Sequence, residues 1–182
     1  MKSVQLIKHD LQYAEEINRL CQASEVRDAL GLPEQTINQT KQFFREIVKE
    51  EEEGKTVSRL ILNEKGTCIG ITTLMFINHE KGSCHIGSWL GVDYWGQGYN
   101  LLSKIALLHI AFHELHLDYV FAGARVVNIR SRKAQEKLPF ITLNVEKDFP
   151  NEHIFLEKKE KQPCVLNVFK KEDYEAYIKS TV

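Results

Sequence analysis

Gly91-Val92-Asp93-Tyr94-Trp95-Gly96-Gln97-Gly98-Tyr99-Asn100 is the stretch on which the reading of this chain turns. Upstream of it, His85 to Leu90 is a short apolar run of strand type. Downstream, Leu101, Leu102, Ile105, Leu108, Ile110, Ala111, Phe112 and Leu115 recur at helical spacing. The order is strand, glycine-bearing turn, helix. The first N–H groups of such a helix have no intrahelical acceptor, and the macrodipole adds positive potential there, so an anion is favoured over the turn. Gly96 and Gly98 carry no Cβ, which lets the backbone come close to a bulky phosphate. Two glycines before a core helix are common in themselves. The weight comes from a second motif further along.

With 182 residues, 43% of them hydrophobic and 27% charged, the chain has the make-up of one soluble domain spanning 1–182 with a sizeable core. A net charge of −1 supplies no basic field, which argues against a nucleic-acid partner and against an anionic membrane surface. No apolar run reaches the length of a membrane span, and Met1-Lys2-Ser3 opens no signal-peptide core. Cys21, Cys68, Cys84 and Cys164 are scattered with no C-x-x-C pair, the pattern of structural thiols in a reducing compartment. A cytoplasmic protein is expected.

Around the turn the pattern predicts a first strand at Val4–Ile7 and a helix over Leu11–Gln22 capped by Asp10. A break at Gly31-Leu32-Pro33-Glu34 precedes a long helix from Gln35 to Glu52, ending at Gly54. Strands over Val57–Leu62, Thr67–Ile77 and Ser83–Leu90, joined by tight turns, form an antiparallel meander leading into the glycine turn. Beyond the central helix come a strand at Tyr119–Val126, a short helix at Asn128–Leu138 and a strand at Ile141–Val145. A loop at Pro150-Asn151-Glu152-His153, a strand at Val165–Phe169 and a helix at Glu172–Ile178 complete the chain. Glu50 to Glu53 place four acids at a helix C-terminus, a solvated face or a lure for a cationic substrate.

The second motif is Asn128-Ile129-Arg130-Ser131-Arg132-Lys133-Ala134-Gln135-Glu136-Lys137-Leu138-Pro139-Phe140. With Trp95-Gly96-Gln97-Gly98-Tyr99-Asn100 it resembles the GNAT superfamily of acyl-CoA-dependent N-acyltransferases, and within it the RimJ/RimL type that acetylates ribosomal-protein N-termini. Val26-Arg27-Asp28-Ala29-Leu30-Gly31 and Lys171-Glu172-Asp173-Tyr174 extend the resemblance over most of the chain. It implies a mixed α+β (α/β) fold: a single GNAT-like domain whose central, mostly antiparallel twisted sheet of about seven strands is flanked by helices and splayed at the acyl-CoA site.

The resemblance further implies acetyl-CoA as co-substrate, with no metal. The backbone of Gly96, Gln97, Gly98, Tyr99 and Asn100 would hold the diphosphate, and Ser88, Trp89, Leu90 and Gly91 would pair with the pantetheine arm. A backbone N–H near Leu90 would polarise the thioester, Asn128 would hydrogen-bond the arm, and Ser131 would protonate the leaving thiolate. Asn128 and Ser131 could equally serve as a helix cap and an ordinary first-turn residue. Relatives carry a tyrosine where this chain has Gln135, a small residue where it has Asn100, and a glycine where it has Pro139.

Glu146 and Glu152 are the candidate general bases, with a solvated surface role as the alternative. His109, His113 and His116 share a helical face, yet no acidic partner accompanies them as a zinc site needs. Trp89 and Trp95 read as core residues flanking the turn, although Trp89 could line a substrate pocket. The expected function is acetyl transfer to a primary amine, whether a protein α-amine, a polyamine or a small amino compound. The alternatives are a catalytically idle CoA-binding regulator of the same fold and, against the charge balance, a nucleic-acid module. A homodimer is compatible with all of these.

Overall fold

The computed structural model describes residues 1–181. Among the described residues the strands are β1 (Val4–Ile7), β2 (Val57–Asn63), β3 (Cys68–Asn78), β4 (Ser83–Leu90), β5 (Tyr119–Arg125), β6 (Ile141–Thr142) and β7 (Cys164–Lys170), and hydrogen bonding orders them as β1-β2-β3-β4-β5-β7-β6, the mixed sheet expected from the sequence. The chain gathers into two compact units, Met1–Ile77 with Gly87–His109, and Asn78–Ile86 with the residues from Ile110 onward.

In the first unit β1 (Val4–Ile7) pairs antiparallel with β2 (Val57–Asn63), and β2 with β3 (Cys68–Asn78). Ile61 lies opposite Gly70 and Leu62 opposite Cys68, so Ile69 is an extra residue that bends β3. Helices α1 (Ala14–Leu20) and α3 (Ile37–Glu52) bury Ala14, Ile17, Leu20 and Phe44 against Leu60, Leu62, Cys68 and Ile71. A second cluster joins Ile61, Ile69 and Leu90 to Tyr99 of α4 (Tyr99–His109). Thr36 and Gln39 form a reciprocal capping box that starts α3, and Gly54 at φ +73° follows its end. Helix α2 (Ser24–Leu30) was not legible as a helix; it buries only Val26 and stops at Gly31, φ +65°.

In the second unit the start of β4 (Ser83–Leu90) runs parallel to β5 (Tyr119–Arg125), Ser83 facing Tyr119 and His85 facing Phe121. Strand β7 (Cys164–Lys170) pairs antiparallel with β5 and with the two-residue β6 (Ile141–Thr142), shorter than the sequence suggested. Helix α5 (Ile129–Glu136) follows β5, and α7 (Lys171–Thr181) sets Tyr174 against Phe112 and Phe140. The helix expected as far as Leu115 changes to a π-helical turn at Ile110–Glu114. The loop expected at Pro150–His153 is instead the first turn of α6 (Pro150–Glu160). Proline at the first helical position needs no N–H and brings a helical φ with it. Leu156 of α6 packs with Phe121, Leu166 and Val168.

Candidate functional site

The turn is built as its sequence implied. Gly96 and Gly98 sit at φ +69° and +90°, in the left-handed region that side chains disfavour. Nothing lies within 4 Å of a Cβ placed on either glycine, so the space over the turn is open. Leu102 N–H closes the first helical turn on Gly98 C=O at 3.3 Å, and the amides of Tyr99, Asn100 and Leu101 precede it. The Gln97 side chain folds back, its Nε2 donating to Asp93 C=O at 2.5 Å. Lys2 Nζ donates to Gln97 C=O and Oε1 at 3.2 and 3.0 Å and stands 5.0 Å above the Tyr99 ring, adding a cation to the turn. Tyr99 is held from below, its hydroxyl donating to both oxygens of Glu64. Open space, leading amides and a cation together suit a diphosphate.

The strand entering the turn is fixed by its neighbours. A Cβ on Gly70 would meet Trp89 C=O at 2.1 Å, so only glycine lets β3 approach this closely. Gly91 N–H donates to Ile69 C=O at 2.9 Å, and the Trp95 indole N–H donates to Leu90 C=O at 2.9 Å. Trp89 packs at the edge of the α1–α3 core, as a core residue would. Ser88 shares a hydroxyl pair with Thr72 at 2.6 Å and accepts a hydrogen bond from Lys104 Nζ. Lys104 is buried in α4, and burial pushes its amine down to about 7.

The second unit holds the other motif. Asn128 caps α5, its side-chain oxygen accepting the Ser131 N–H at 3.1 Å. The capping role is therefore real, and its carbonyl oxygen is committed. Gln135 donates to Ser131 Oγ at 3.4 Å and to Gly123 C=O at 3.1 Å. Asn167 Nδ2 in turn donates to Gln135 Oε1 at 2.6 Å, so a chain of amides orients the helix face that carries Ser131.

Neither candidate carboxylate is a solvated surface acid. Glu146 accepts the Leu166 N–H at 2.9 Å, and Glu152 pairs with His85 Nε2 at 2.8 Å. Burial lowers the His85 ring's affinity for a proton more than Glu152 restores it. Of the acidic run, Glu51 forks onto Arg59 and Glu53 pairs with Lys55, so it is part structural. All four cysteines are free, and burial raises the thiols of Cys21 and Cys84 to about 11 and about 12, which leaves them inert. Among the described residues no group of three or more histidines, cysteines or acids could hold a metal ion, and no helix is long and apolar enough to cross a membrane.

Residues 4–141 match the family described as acetyltransferase (GNAT) domain. The chain belongs to that family and is an acyl-CoA-dependent acetyltransferase that uses acetyl-CoA as co-substrate. Solved structures of the same fold include Mycobacterium smegmatis RimJ in complex with CoA-disulfide, at 15% identity and TM-score 0.75, covering 98% of this chain and 89% of that one. A second is spermidine N-acetyltransferase from Vibrio cholerae in complex with CoA and spermine, at 11% identity and TM-score 0.72, covering 94% and 98%. A third is the microcin C7 self-immunity acetyltransferase MccE in complex with acetyl-CoA and AMP, at 19% identity and TM-score 0.67, covering 78% and 79%. No curated protein sequence matches the chain.

Sequence reasoning missed Lys2 and the Lys104–Ser88–Thr72 cluster. Lys2 carries no local signal. Lys104 does: Leu101, Leu107, Leu108 and Ala111 stand three, three, four and seven residues away, so a lysine lies on the apolar stripe of its helix.

Proposed function

We propose that this acetyltransferase moves the acetyl group of acetyl-CoA to a primary amine by direct attack, with no covalent enzyme intermediate. A protein α-amine, a polyamine and a small amino compound are the acceptors in view. The reading is carried by the open turn at Gly96–Asn100, with its two left-handed glycines and leading amides. There the backbone grips the diphosphate, and the Ser88–Gly91 segment pairs with the pantetheine arm and aims the thioester at the nitrogen. Asn128, its oxygen used as a cap, offers its amide N–H groups to the arm. Ser131 supplies the proton for the leaving thiolate: it accepts from Gln135, which leaves its own O–H to give.

Mixing the protein with acetyl-CoA and a panel of amines, and following free thiol, tests this reading. The panel holds spermidine, a short peptide with a free α-amine, and an aminoglycoside. Thiol release with at least one amine supports it; binding without turnover on any of them supports the alternative of an idle CoA-binding regulator. Gly98→Trp fills the approach to the turn and forces a bulky residue to φ +90°, so acetyl-CoA binding is lost by calorimetry. Unchanged affinity counts against the turn. Ser131→Ala lowers turnover on the order of 10²-fold with acetyl-CoA affinity kept. A wild-type rate over the full pH range removes Ser131 as the acid.

A further inference from the structure

The transfer needs a group to take the amine's proton, and the carboxylates read from the sequence are committed elsewhere. Glu146 holds the Leu166 amide and Glu152 holds His85. The first unit contains a different kind of base. Lys104 is 6% exposed in α4, and among the described residues its Nζ meets a single hydrogen-bond partner, Ser88 Oγ. An ammonium has three N–H donors to satisfy and no acceptor atom. With one hydroxyl partner and no carboxylate in the cluster, the charged form is left with unpaired donors in an apolar setting. The uncharged amine fits better: it can donate to Ser88 or offer its lone pair to the Ser88 proton. From β3 the group facing the chain is the Thr72 hydroxyl, from β4 the Ser88 hydroxyl, and no charged side chain moves the amine's titration besides burial. Thr72 is fully buried, Lys104 nearly so, and Ser88, which stands between them in the chain, is half-buried and so its most exposed member.

We infer that Lys104, acting through Ser88, is the proton acceptor of the acetyl transfer. This rests on the proposed pairing of the Ser88–Gly91 segment with the pantetheine arm. An amine arriving as an ammonium gives one proton to Ser88, which passes its own proton to the Lys104 lone pair. The neutral nitrogen then forms the new C–N bond as the C–S bond breaks. The thiolate takes a proton from Ser131, and Ser131 recovers one from the acylated nitrogen. Ammonium, thioester and neutral Lys104 thus become amide, free thiol and protonated Lys104, which returns its proton to water between turnovers. Ser88 is the group that meets the substrate, and Lys104 is a positioning residue that sets the protonation of Ser88.

The experiment follows kcat/KM against pH for wild type, Lys104→Met and Lys104→Gln, with acetyl-CoA and whichever panel amine is turned over. Methionine fits the apolar site without a base; glutamine keeps an N–H for Ser88 and cannot titrate. The wild type is expected to lose activity below about pH 7. Both variants are expected to lack that limb and to fall on the order of 10²-fold or more at pH 8, with acetyl-CoA affinity within about threefold of wild type. If the glutamine variant recovers the wild-type rate and limb, Lys104 merely holds Ser88 in place and the proposal is overturned. A measurement without variants runs alongside: in protein labelled at lysine Cε, one resonance should titrate near pH 7, and the absence of any such lysine overturns the proposal. A wild type that neither binds acetyl-CoA nor releases thiol brings down the turn reading, and this inference with it. Turnover with profiles unaffected at Lys104 brings down this inference alone.

Discussion

Thr72 and Thr73 are consecutive in β3, and each begins a chain of two hydroxyls ending on a nitrogen base. Thr73 pairs with Ser58 at 2.7 Å and Ser58 with His9 Nε2 at 2.8 Å; Thr72 pairs with Ser88, and Ser88 with Lys104. Strand alternation sends the two chains to opposite faces of β3. His9 meets Phe44 edge-on at 4.6 Å and Phe43 at 5.8 Å, and burial, helped by Arg59, lowers it to about 4. Burial also lowers Lys104, to about 7. The same force acts in the same direction on both, and the starting point decides the outcome. An imidazole that begins at 6.5 is driven out of the neutral range and becomes a fixed polar strut. An amine that begins at 10.5 is driven into that range and becomes a group that can gain and lose a proton at work.

The largest effect expected from this contrast is on stability. Between pH 7 and 10.5 the unfolded chain holds a proton on Lys104 that the folded chain does not, so stability rises with pH across that window. The rise is at most about 5 kcal/mol, from about 1.4 kcal/mol for each unit of displacement. Lys104→Met should remove this rise and make the protein more stable at pH 7 by about 2 kcal/mol or more, because a buried group that resists charging is replaced by an apolar one. Urea unfolding of both proteins at pH 7 and pH 10 measures it. Equal pH slopes would mean that Lys104 is solvated in the folded state and would erase the contrast.

The His9 chain should give a smaller effect at lower pH. The unfolded imidazole protonates through 6.5 while the folded one stays neutral to about 4, so stability falls as pH drops through that interval and levels off below it. The loss is at most about 3 kcal/mol. His9→Gln keeps an N–H for Ser58 and has no proton to gain, so the difference between wild type and variant should narrow steadily from pH 7 to pH 4. Activity relative to folded protein should stay level, which sets this chain apart from its counterpart. A change in the activity–pH profile would give His9 a share in the chemistry.

The same contrast shows what the sequence could disclose. The glycine turn, the meander and the Asn128 cap were legible because each depends on neighbours in the chain: a positive φ, an alternating strand, a side chain bonded three residues on. Helix α6 was hidden because Ile154 and Phe155 are exposed and Leu156 alone is buried, which leaves no apolar stripe to read. Helix α2 was hidden for a like reason, with Val26 as its one buried residue. Lys104 was passed over because a lysine is ordinarily assigned to water. Its apolar neighbours one turn away contradicted that habit. Its partner Ser88 lies 16 residues away and its chain ends on Thr72, pairings that only the stacking of strands and helix creates.

The smallest effects separate the two threonines themselves. Thr72→Val and Thr73→Val each remove one hydroxyl from a satisfied pair while keeping the β-branched shape that suits a strand. Each should cost about 1 kcal/mol, the net worth of one such hydrogen bond. The kinetics should divide them. Thr72→Val leaves Ser88 with Lys104 as its one remaining partner in the chain, so the acidic limb of kcat/KM should move, by less than about one pH unit, since the change adds no charge. Thr73→Val touches only the strut ending on His9 and should leave that limb where it was. Equal movement in both variants would show that the limb reports general loosening of β3, because the two side chains share nothing but adjacent backbone and opposite faces of one strand.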